Sequence, residues 1–438
     1  TRFALVSWAR EMCIRDRPVS EALQCAFASY NMDAVHHIGF DVLANRPRAA
    51  AYRAPGSPMA AFAVESLIDE MCTDLNLDPI DVRLKNAVAE GSKSSYGPKF
   101  KKIGLIETLE ATKEHPNYSI ELGVNQGRGV AAGYWMNHGG ETSVSVSLAE
   151  DGSVNVSVGT PDIGGSRASI ALMTAETYGI PYDSVRVNIL ETGALGFNEP
   201  THGSRATLAS GKAVYEAANQ TIAEMCRRVA KKWQIDPDAV YWENGYAKPA
   251  GPNAGDFSPI SIKQIASEMD QTGGPIAGHH EASIRGVGHS FGVHIADVEV
   301  DPETGRVTVL RYLVAQDAGR AVHPSYVEGQ FQGGAVQGIG WALNEEYVYG
   351  EDGCLQNAAF LDYRIPVASD LPNIDTIIVE VPNPDHPFGV RGVGETGIAP
   401  PLPALANAVA AATKVRLRSL PMSPTKVLKA LKTGNDGC

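Results

Sequence analysis

The sequence predicts a globular chain that mixes helices and strands, and three patterns support this interpretation. Apolar residues recur at helical spacing after Ser57. Val144–Leu148 and Val154–Val158 alternate apolar with polar residues on either side of a turn, as expected for a β-hairpin. Val293–Val300 and Val307–Val314 repeat that arrangement later in the chain. The 438 residues include 44 glycines and 27 prolines, so we expect many turns around a sizeable core.

Charge and cysteine usage exclude several classes of function. Acidic residues outnumber basic ones by 50 to 37, and the net charge of −13 gives no sign of a nucleic-acid or anionic membrane surface. The six cysteines form no Cys-x-x-Cys pair, so this chain is not expected to ligate zinc or an iron–sulfur cluster. No run of about 18 apolar residues occurs, and we expect no membrane span. The cysteine pattern indicates a reducing, cytoplasmic setting; because the sequence starts without Met, we interpret it as a fragment, and a periplasmic location stays open.

Two stretches differ from their surroundings. Residues 7–17 have neither helical nor strand periodicity, and Met12–Arg17 resembles translated sequencing-adaptor text, so we interpret this stretch as foreign sequence. Ser92–Asn125 is rich in turn residues and has little periodicity. We therefore expect a domain boundary there.

The first long helix is predicted to begin with Ser57 as its N-cap and Pro58 as its first residue. Its apolar residues recur at helical spacing and are expected to face the core. They are Phe62, Leu67, Ile68, Met71 and Leu75. A second helix is predicted after Asp78-Pro79. In the loop before the first helix, Arg53 has two open roles, because it can either cap structure or hold an anion.

Two glycine-containing loops each lead into a predicted helix. Gly159–Ser166 precedes a helix that runs to about Tyr178, and Pro200–Arg205 precedes a long helix over Leu208–Trp233. Backbone N–H groups at such helix starts can bind anions, so the two loops are candidates for holding phosphate or polar ring groups. Neither loop has the Lys-Ser/Thr of a P-loop. Ordinary turns between strand and helix are the alternative.

One carboxylate, Glu395, lies among the closely spaced glycines of Pro387–Pro401. Glycine leaves the backbone bare, so a ligand could approach it and face the carboxylate. We therefore predict that Glu395 is a catalytic base, with a solvated loop carboxylate as the alternative. Gly392-x-Gly394-x-x-Gly397 also has the form of a dinucleotide-binding fingerprint, but no strand runs directly into it and no acid follows about 20 residues later.

Gly288-His-Ser-Phe-Gly292 has the form of a nucleophile elbow around Ser290. That elbow needs a helix directly after the serine, whereas the sequence predicts a strand there. A turn role for Ser290 is therefore favoured over a serine hydrolase. The nearby histidines do not have the helical spacing of a zinc site and are treated as structural. They are His279, His280, His289 and His294.

A further predicted helix, Tyr326–Leu343, is punctuated by glycine, which indicates close packing against a neighbour. Gln330, Gln332 and Gln337 project from it as amides that can donate and accept hydrogen bonds. Helix packing through glycine would explain the glycines but leaves the three glutamines unexplained.

Several of these segments together resemble the large, molybdopterin-binding subunit of the xanthine dehydrogenase and aldehyde oxidase family of molybdenum hydroxylases. The similarity runs from about Pro18 to about Leu428, and the ordered series is more specific than any single segment. The series is Gly127–Tyr134, Gly159–Ser166, Pro200–Val214, Val327–Leu343, Phe360–Pro366 and Gly389–Pro401. The resemblance implies an α+β fold of mixed sheets and helices, in which residues 1–122 are the C-terminal part of a first molybdopterin-binding domain and residues 123–438 are the second.

By the same resemblance, the chain is a subunit of an oxidoreductase that inserts water-derived oxygen at an electron-poor carbon of an aldehyde or N-heteroaromatic substrate. Molybdenum is carried by molybdopterin, with the cytosine dinucleotide form as an alternative, so no metal ligand from the protein is expected. Glu395 matches the base that deprotonates a metal-bound hydroxyl in this family. The [2Fe-2S] cluster and FAD are expected on partner subunits, because this chain has no visible site for either.

The resemblance also implies which residues line the site. Those expected at the cofactor are Arg53, Gly164, Gly203, Ser204, Gln337 and Gly394. Tyr134 and Trp135 are expected in the substrate pocket, where an aromatic face can stack on a planar substrate.

Two departures from the family pattern bear on activity. Gly164-Gly165-Ser166 stands where relatives often carry Gly-Gln-Gly, and Pro55 stands where xanthine-specific relatives carry Phe. The first removes a side-chain amide near the metal, and the second weakens any claim for xanthine itself. An inactive or incomplete molybdopterin-binding scaffold is therefore the main alternative, and a serine hydrolase is the less favoured one.

Overall fold

Two four-stranded sheets and one three-stranded sheet form the framework of the chain. The computed structural model describes residues 18–42, 44–45, 47, 50–251, 254–285 and 288–434. The stretch 7–17, predicted to be foreign sequence, lies outside these residues. Helices pack on the sheets, and each of the two larger sheets contains parallel and antiparallel pairs, which confirms the predicted α+β class.

The strands are numbered along the chain. Their bounds are β1 Gln126–Trp135, β2 Gly140–Leu148, β3 Val154–Val158, β4 Val185–Ile189, β5 Val240–Glu243, β6 Tyr246–Pro249, β7 Ile260–Ser261, β8 Ala277–Ile284, β9 Ser290–Val300, β10 Val307–Asp317 and β11 Ile374–Val379. The first sheet has the order β1-β9-β10-β11, the second β4-β3-β2-β8 and the third β5-β6-β7. The pairs β10–β11 and β3–β4 are parallel, and the others are antiparallel.

Helices flank the strands along the described chain. Their bounds are α1 Pro18–Cys25, α2 Ser57–Asp74, α3 Pro79–Asn86, α4 Leu105–Glu114, α5 Pro116–Ser119, α6 Ser166–Tyr178, α7 Thr192–Leu195, α8 Ala206–Trp233, α9 Ile262–Ser267, α10 Met269–Thr272, α11 Pro324–Leu343, α12 Pro401–Thr413 and α13 Pro424–Thr433. The helix α8 packs on β2 and β8 with α6 beside it, and α12 packs on β1 and β9. Within the described part of the chain, no helix has both the length and the apolar character needed to cross a bilayer.

The first sheet is buried on both faces, since a core lies on each side of it. Successive side chains of its strands point to opposite sides and therefore enter different cores. On β1, Ala131 packs into one core with α11, α12 and α13, whereas Val130 and Ala132 pack into another with α1, α3 and α4. Gly129 lets β1 approach α12 closely, since a Cβ there would lie 2.0 Å from the carbonyl oxygen of Ala404. Residues on both sides of position 122 thus share a core, and the division into domains at that point stays a prediction.

The hairpin and the two transitions from loop to helix are confirmed. In the hairpin, Val144 lies opposite Val158 and Leu148 opposite Val154. The helix α6 ends at Tyr178 and is capped by Gly179, which has a left-handed φ of 66°. The predicted long helix corresponds to α8. The glycine loops before α6 and α8 are therefore fixed by helices that pack on the second sheet.

The start of α2 differs from the prediction that Ser57 is its N-cap. Gly56 occupies the N-cap position with a φ of 78°, and Ser57 is the first helical residue. The Ser57 hydroxyl donates instead to the carbonyl oxygen of Tyr134 at 2.8 Å. The prediction for α3 is confirmed, since the Asp78 side chain accepts hydrogen bonds from two backbone N–H groups of the first turn.

The buried face of α2 is also not the predicted one. Leu67, Met71 and Leu75 are 56%, 47% and 67% exposed, whereas Glu65 is 3% exposed. Glu65 can be buried because its carboxylate accepts hydrogen bonds from Arg83 Nε at 2.9 Å and from a backbone N–H of β1. Periodicity identified the helix correctly, but a polar contact with distant residues determines which side of it is buried.

The region expected to be a domain boundary, Ser92–Asn125, contains the helix α4. This helix buries Leu105, Thr108, Leu109 and Thr112. The two threonine hydroxyls donate to carbonyl oxygens four residues earlier, which satisfies them within the helix. Because half of the buried positions are threonine, the apolar periodicity that would indicate a helix is weak in the sequence.

Arg83→Met is expected to lower the free energy of unfolding by about 3–5 kcal/mol, because it leaves the buried Glu65 carboxylate without its cation. The two side chains are 1% and 3% exposed and lie 2.7 Å apart. Lys232→Ala is the control, since Lys232 pairs with Glu268 at the surface and its loss should cost about 1 kcal/mol or less. Urea denaturation measures both variants, and equal losses would contradict the role of the buried pair.

Candidate functional site

Arg53 connects segments that are far apart in the sequence. Its Nε donates to the carbonyl oxygen of Gly394, its Nη1 to Gln337 Oε1 at 2.9 Å, and its Nη2 to the carbonyl oxygen of Gln330 at 3.0 Å. The loop before α2, the helix α11 and the loop that carries Glu395 therefore meet at one guanidinium. Burial lowers the pKa of Arg53, while the neighbouring Glu395 carboxylate acts in the opposite direction. Of the two roles left open by the sequence, the structure shows the one in which Arg53 binds protein acceptors.

Glu395 lies at the same junction, and its carboxylate is held from two sides. Ser204 Oγ donates to Glu395 Oε2 at 2.8 Å, and the backbone N–H of Ala54 donates to Oε1 at 3.2 Å. Burial raises the pKa of Glu395 above its ordinary range, against the lowering effects of these hydrogen bonds and of Arg53. The structure thus places Glu395 as a held, partly buried carboxylate rather than a freely solvated one.

The two glycine loops reach this junction in left-handed backbone conformations. Gly203 and Ser204 have φ values of 61° and 65°, and Gly164 and Gly165 have φ values of 60° and 76°. For a residue other than glycine this conformation costs about 1–3 kcal/mol, and in Ser204 it accompanies the hydrogen bond to the carboxylate. A Cβ added at Gly164 would lie 2.8 Å from Gln330 Nε2, so this loop lies directly against α11.

One face of α11 supplies amides to the junction. Gln330 and Gln337 each accept a hydrogen bond from Arg53 through Oε1. Gln332 instead donates to the carbonyl oxygen of Ile374. Two of the three projecting glutamines thus belong to the site. Gln337 was predicted there by resemblance, and Gln330 was noted only as a projecting amide.

Two glycines of the Glu395 loop are needed for different reasons. A Cβ at Gly392 would lie 2.3 Å from the carbonyl oxygen of Ser204, so the packing of the protein itself requires glycine there. A Cβ at Gly394 would meet nothing closer than 3.5 Å, and its nearest neighbours would be Ser204 Oγ and Gln330 Oε1. A methyl group at position 394 would therefore sit in ordinary van der Waals contact with a hydroxyl and an amide, so the packing of the protein does not require glycine there.

A buried ion pair fixes the start of this loop. Arg391 and Asp317 lie 2.9 Å apart, with side-chain exposures of 2% and 0%. Arg391 also donates to the carbonyl oxygens of Val381, His289 and Lys102. Burial raises the pKa of Asp317 to about 6, although Arg391 acts to lower it. Arg391 therefore holds the start of the loop to Asp317, Val381, His289 and Lys102.

Tyr134 and Trp135, which were expected in a substrate pocket, lie in the core at the end of β1, and each is 1% exposed. Tyr134 Oη lies 2.6 Å from Tyr96 Oη and 2.7 Å from His289 Nδ1. The indole ring of Trp135 stacks on the imidazole ring of His138. The contacts of both rings are thus with other aromatic side chains, and their assignment to a substrate pocket stays a prediction.

Ser290 is the first residue of β9 rather than a turn residue, so both its turn role and the serine hydrolase alternative are wrong. It is fully buried, and its hydroxyl donates to the carbonyl oxygen of Asp317. A nucleophile elbow would place the serine between a strand and a helix, whereas the residues after Ser290 continue the strand. Among the residues that the structure describes, no group of three or more His, Cys, Asp or Glu side chains could hold a metal ion.

Sequence reasoning missed two residues that hold the site. Ala54 contributes only its backbone N–H, which no residue pattern can mark. Asn137 binds both the N–H and the carbonyl oxygen of Gly392 through its side-chain amide. A signal for Asn137 exists, because an Asn after a predicted strand and before His-Gly-Gly is typical of a left-handed turn, and its φ is 51°.

The junction combines one cation, one carboxylate with a raised pKa, and neutral amide, hydroxyl and backbone groups. The Ser204 hydroxyl and the Gln330 amide lie beside Gly394. Such a set can bind polar ring or phosphate groups through neutral donors and place a proton acceptor next to them.

Comparisons with known proteins are consistent with one another. Residues 13–87 and residues 102–372 each match a molybdopterin cofactor-binding domain. The xanthine dehydrogenase molybdenum-binding subunit of Escherichia coli O157:H7 is 31% identical, and the match covers 87% of this chain and 53% of that subunit. The 6-hydroxypseudooxynicotine dehydrogenase complex subunit gamma of Paenarthrobacter nicotinovorans is 29% identical, and the match covers 92% of this chain and 54% of that subunit. The chain thus spans about half the length of the curated relatives it matches.

Solved structures share the fold. The aldehyde oxidoreductase from Desulfovibrio desulfuricans has a TM-score of 0.77 and 25% identity, covering 97% of this chain and 46% of that chain. The quinoline 2-oxidoreductase from Pseudomonas putida 86 has a TM-score of 0.81 and 22% identity, covering 95% of this chain and 57% of that chain. Both likenesses confirm the fold class predicted from the sequence.

Gly392→Ala is expected to destabilise the chain by about 1–3 kcal/mol, since the added methyl group would overlap the Ser204 carbonyl oxygen and force the loop to move. Gly394→Ala should change the stability by less than about 1 kcal/mol, because space is available and its backbone is not left-handed. Thermal unfolding of the two variants gives the comparison. An equal loss of stability in the two variants would show that a methyl group does not fit at position 394.

Proposed function

Because this chain belongs to the molybdopterin cofactor-binding family of xanthine dehydrogenase and aldehyde oxidase large subunits, we propose that it is part of a molybdenum hydroxylase whose catalytic base is Glu395. The observation that carries the proposal is the carboxylate itself. It is held by Ser204 and Ala54, burial raises its pKa, and it follows Gly394, where the packing of the protein does not require glycine. A carboxylate of this kind suits a proton acceptor beside a bound cofactor.

The residues at the junction fit molybdopterin. A pterin has hydrogen-bond donors and acceptors along its ring edge, and the side chains of Gln330, Gln337 and Ser204 offer matching groups. Its phosphate suits the backbone at the starts of α6 and α8, beside Gly164 and Gly203. Glycine at position 394 is compatible with a ligand approaching the backbone, since the packing of the protein itself does not require glycine there.

Arg53 supports this binding site indirectly in our proposal. Its guanidinium nitrogens donate to Gly394, Gln337 and Gln330, so it fixes the loop backbone and the two amides in place. The protein would therefore present these groups to the cofactor in a defined arrangement. We propose Arg53, Gly164, Gly203, Ser204, Gln337 and Gly394 as the cofactor-binding set, with Gln330 as an addition from the structure.

The chemistry supplied by the bound cofactor is the two-electron oxidation of a substrate carbon, with oxygen taken from water. In this reaction Glu395 accepts the proton that the oxygen nucleophile loses. The hydrogen bonds from Ser204 and Ala54 hold the ionised carboxylate in one orientation, whereas burial favours the protonated form. These opposing effects suit a group that must gain and lose a proton in each cycle.

For the substrate we propose an aldehyde or an N-heteroaromatic compound. The relatives are named for xanthine and 6-hydroxypseudooxynicotine, and the solved structures for an aldehyde and quinoline. Pro55, at the position where xanthine-specific relatives carry Phe, is our reason for not proposing xanthine itself. Tyr134 and Trp135 belong to the proposal as the aromatic side of the substrate pocket.

The form of the cofactor and the electron-transfer partners belong to the same proposal. We propose molybdopterin, with the cytosine dinucleotide as an alternative form, and an iron–sulfur subunit and a FAD subunit as partners. Support comes from the relatives, which include a subunit of a dehydrogenase complex. The described free thiols support a reducing, cytoplasmic setting. They are Cys25, Cys72, Cys226 and Cys354.

In the complete enzyme, Glu395→Gln is expected to keep its molybdenum and to lower kcat by about 10²–10⁴-fold, because the amide has a similar shape but cannot accept the proton. Metal analysis and steady-state kinetics on the same preparations measure both quantities. Glu328→Gln is the control, since Glu328 is an exposed carboxylate on α11.

Turnover that is unchanged in Glu395→Gln would refute the base assignment. A parent enzyme that holds molybdenum but oxidises no aldehyde or N-heteroaromatic compound would favour the inactive-scaffold alternative instead.

The acid limb of the pH profile of kcat/KM should lie at higher pH than an ordinary glutamate would give, because the pKa of Glu395 is raised and a base must be deprotonated to act. Ser204→Ala should move this limb to still higher pH, since the Ser204 hydroxyl lowers the pKa by donating to the carboxylate. Thr201→Val is the control, because it removes a hydroxyl of the same loop that has no hydrogen-bond partner. A shift of the Ser204→Ala limb to lower pH would contradict the assignment.

A further inference from the structure

The turn after β1 contacts both loops that hold the Glu395 carboxylate. Asn137 Nδ2 donates to the carbonyl oxygen of Gly392 at 3.0 Å, and Asn137 Oδ1 accepts from the N–H of Gly392 at 2.8 Å. The N–H of the next residue, His138, donates to the carbonyl oxygen of Gly203 at 2.7 Å. Gly392 lies shortly before Glu395 in one loop, and Gly203 lies directly before Ser204 in the other.

Through these contacts the turn holds two loops that position the carboxylate. Through Gly392 the turn holds the loop that carries Glu395. Through Gly203 it holds the loop whose Ser204 hydroxyl donates to the carboxylate at 2.8 Å. A displacement of this turn would therefore alter both the position of the carboxylate and its hydrogen bonding.

The packing at this point leaves little freedom. Asn137 is 4% exposed, and a Cβ added at Gly392 would lie 3.0 Å from Asn137 Cγ. A Cβ added at Gly203 would lie 2.4 Å from His138 Cβ. An amide that satisfies both backbone groups of one residue fixes that residue as a neighbouring strand would.

We propose that Asn137 is a positioning residue, which holds Gly392 so that the Glu395 carboxylate stays at the place where it accepts a proton. The inference rests on the proposed function of Glu395. The titratable groups that face the carboxylate from neighbouring elements are Arg53, before α2, and Cys25, on α1. Asn137 is neutral, so its replacement by another neutral residue removes no charge from this environment.

Asn137→Gly is the informative variant, because glycine accepts the φ of 51° while the amide is lost. Asn244→Gly is a matched control, since Asn244 also has a φ of 51° and lies in the exposed turn between β5 and β6. In the complete enzyme, Asn137→Gly should keep its molybdenum and lower kcat by roughly 10–100-fold, with a smaller change in KM. Asn244→Gly should leave all three quantities unchanged.

Two further measurements separate positioning from general loss of structure. A loosened turn changes both the burial of the carboxylate and its hydrogen bond from Ser204, so the acid limb of kcat/KM in Asn137→Gly should lie at a different pH from that of the parent enzyme. In the cofactor-free protein, amide hydrogen exchange over residues 200–205 and 389–398 should be faster in Asn137→Gly and unchanged in Asn244→Gly.

The outcomes distinguish this inference from the function on which it rests. If Glu395→Gln loses turnover but Asn137→Gly has the parental kcat, pH profile and exchange, the positioning role is overturned and the base assignment stands. If Glu395→Gln keeps its turnover, both are overturned. If Asn137→Gly does not fold, Asn137→Ser takes its place, since it is neutral and polar but too short to bind both backbone groups of Gly392. Parental kcat and parental exchange in that folded variant would overturn the positioning role.

Discussion

The guanidinium of Arg53 is the contact on which the arrangement of the site depends. It joins the loop before α2 to Gly394, which lies 341 residues later, and to the amides of α11. The acceptors of these hydrogen bonds are neutral, so the group acts through the fixed directions of its N–H bonds rather than through a direct ion pair. A lysine carries its three donors on a single nitrogen, so it could not match acceptors that are spread around the three nitrogens of the guanidinium. The geometry of the site thus depends on a planar cation with donors on several sides.

Two carboxylates of the chain show how burial can lead to different roles. Asp317 has a pKa raised to about 6 by burial, but it contacts Arg391 directly and serves to anchor the start of the Glu395 loop. Burial also raises the pKa of Glu395. Its hydrogen-bond partners, however, are a hydroxyl and a backbone N–H, and the neighbouring cation makes no direct bond to it. Asp317 is suited to anchoring through its direct contact with Arg391, whereas Glu395 is bound by neutral donors, an arrangement that agrees with its proposed role as a proton acceptor.

Features encoded by neighbouring residues were predictable from the sequence. The hairpin of β2 and β3, the glycine closure of α6 and the start of α3 follow from alternation, glycine and capping within a few residues. The site residues on separate loops could be grouped only by resemblance, because nothing in the local pattern of Arg53 or Ser204 indicates that they meet.

What the sequence could not predict depends on contacts between distant residues. The buried face of α2 is determined by the pairing of Glu65 with Arg83, and α4 was hidden because threonine occupies half of its buried positions. Ala54 acts through its backbone and Asn137 through a side chain that meets Gly392, 255 residues away. For Glu65, Ala54 and Asn137, a polar group is satisfied by a partner whose position is fixed only by the complete fold, whereas the threonines of α4 are satisfied within the helix.

The two glycines before Glu395 differ in what the packing of the protein requires. At Gly392 a side chain would strike the Ser204 backbone, whereas at Gly394 a methyl group would be in ordinary van der Waals contact. The loop that carries Glu395 is held by Arg391, Asn137 and Ser204. A proton acceptor that is fixed by the fold alone needs little reorganisation when a ligand arrives, so more of the binding energy of that ligand can be used to orient the reacting groups.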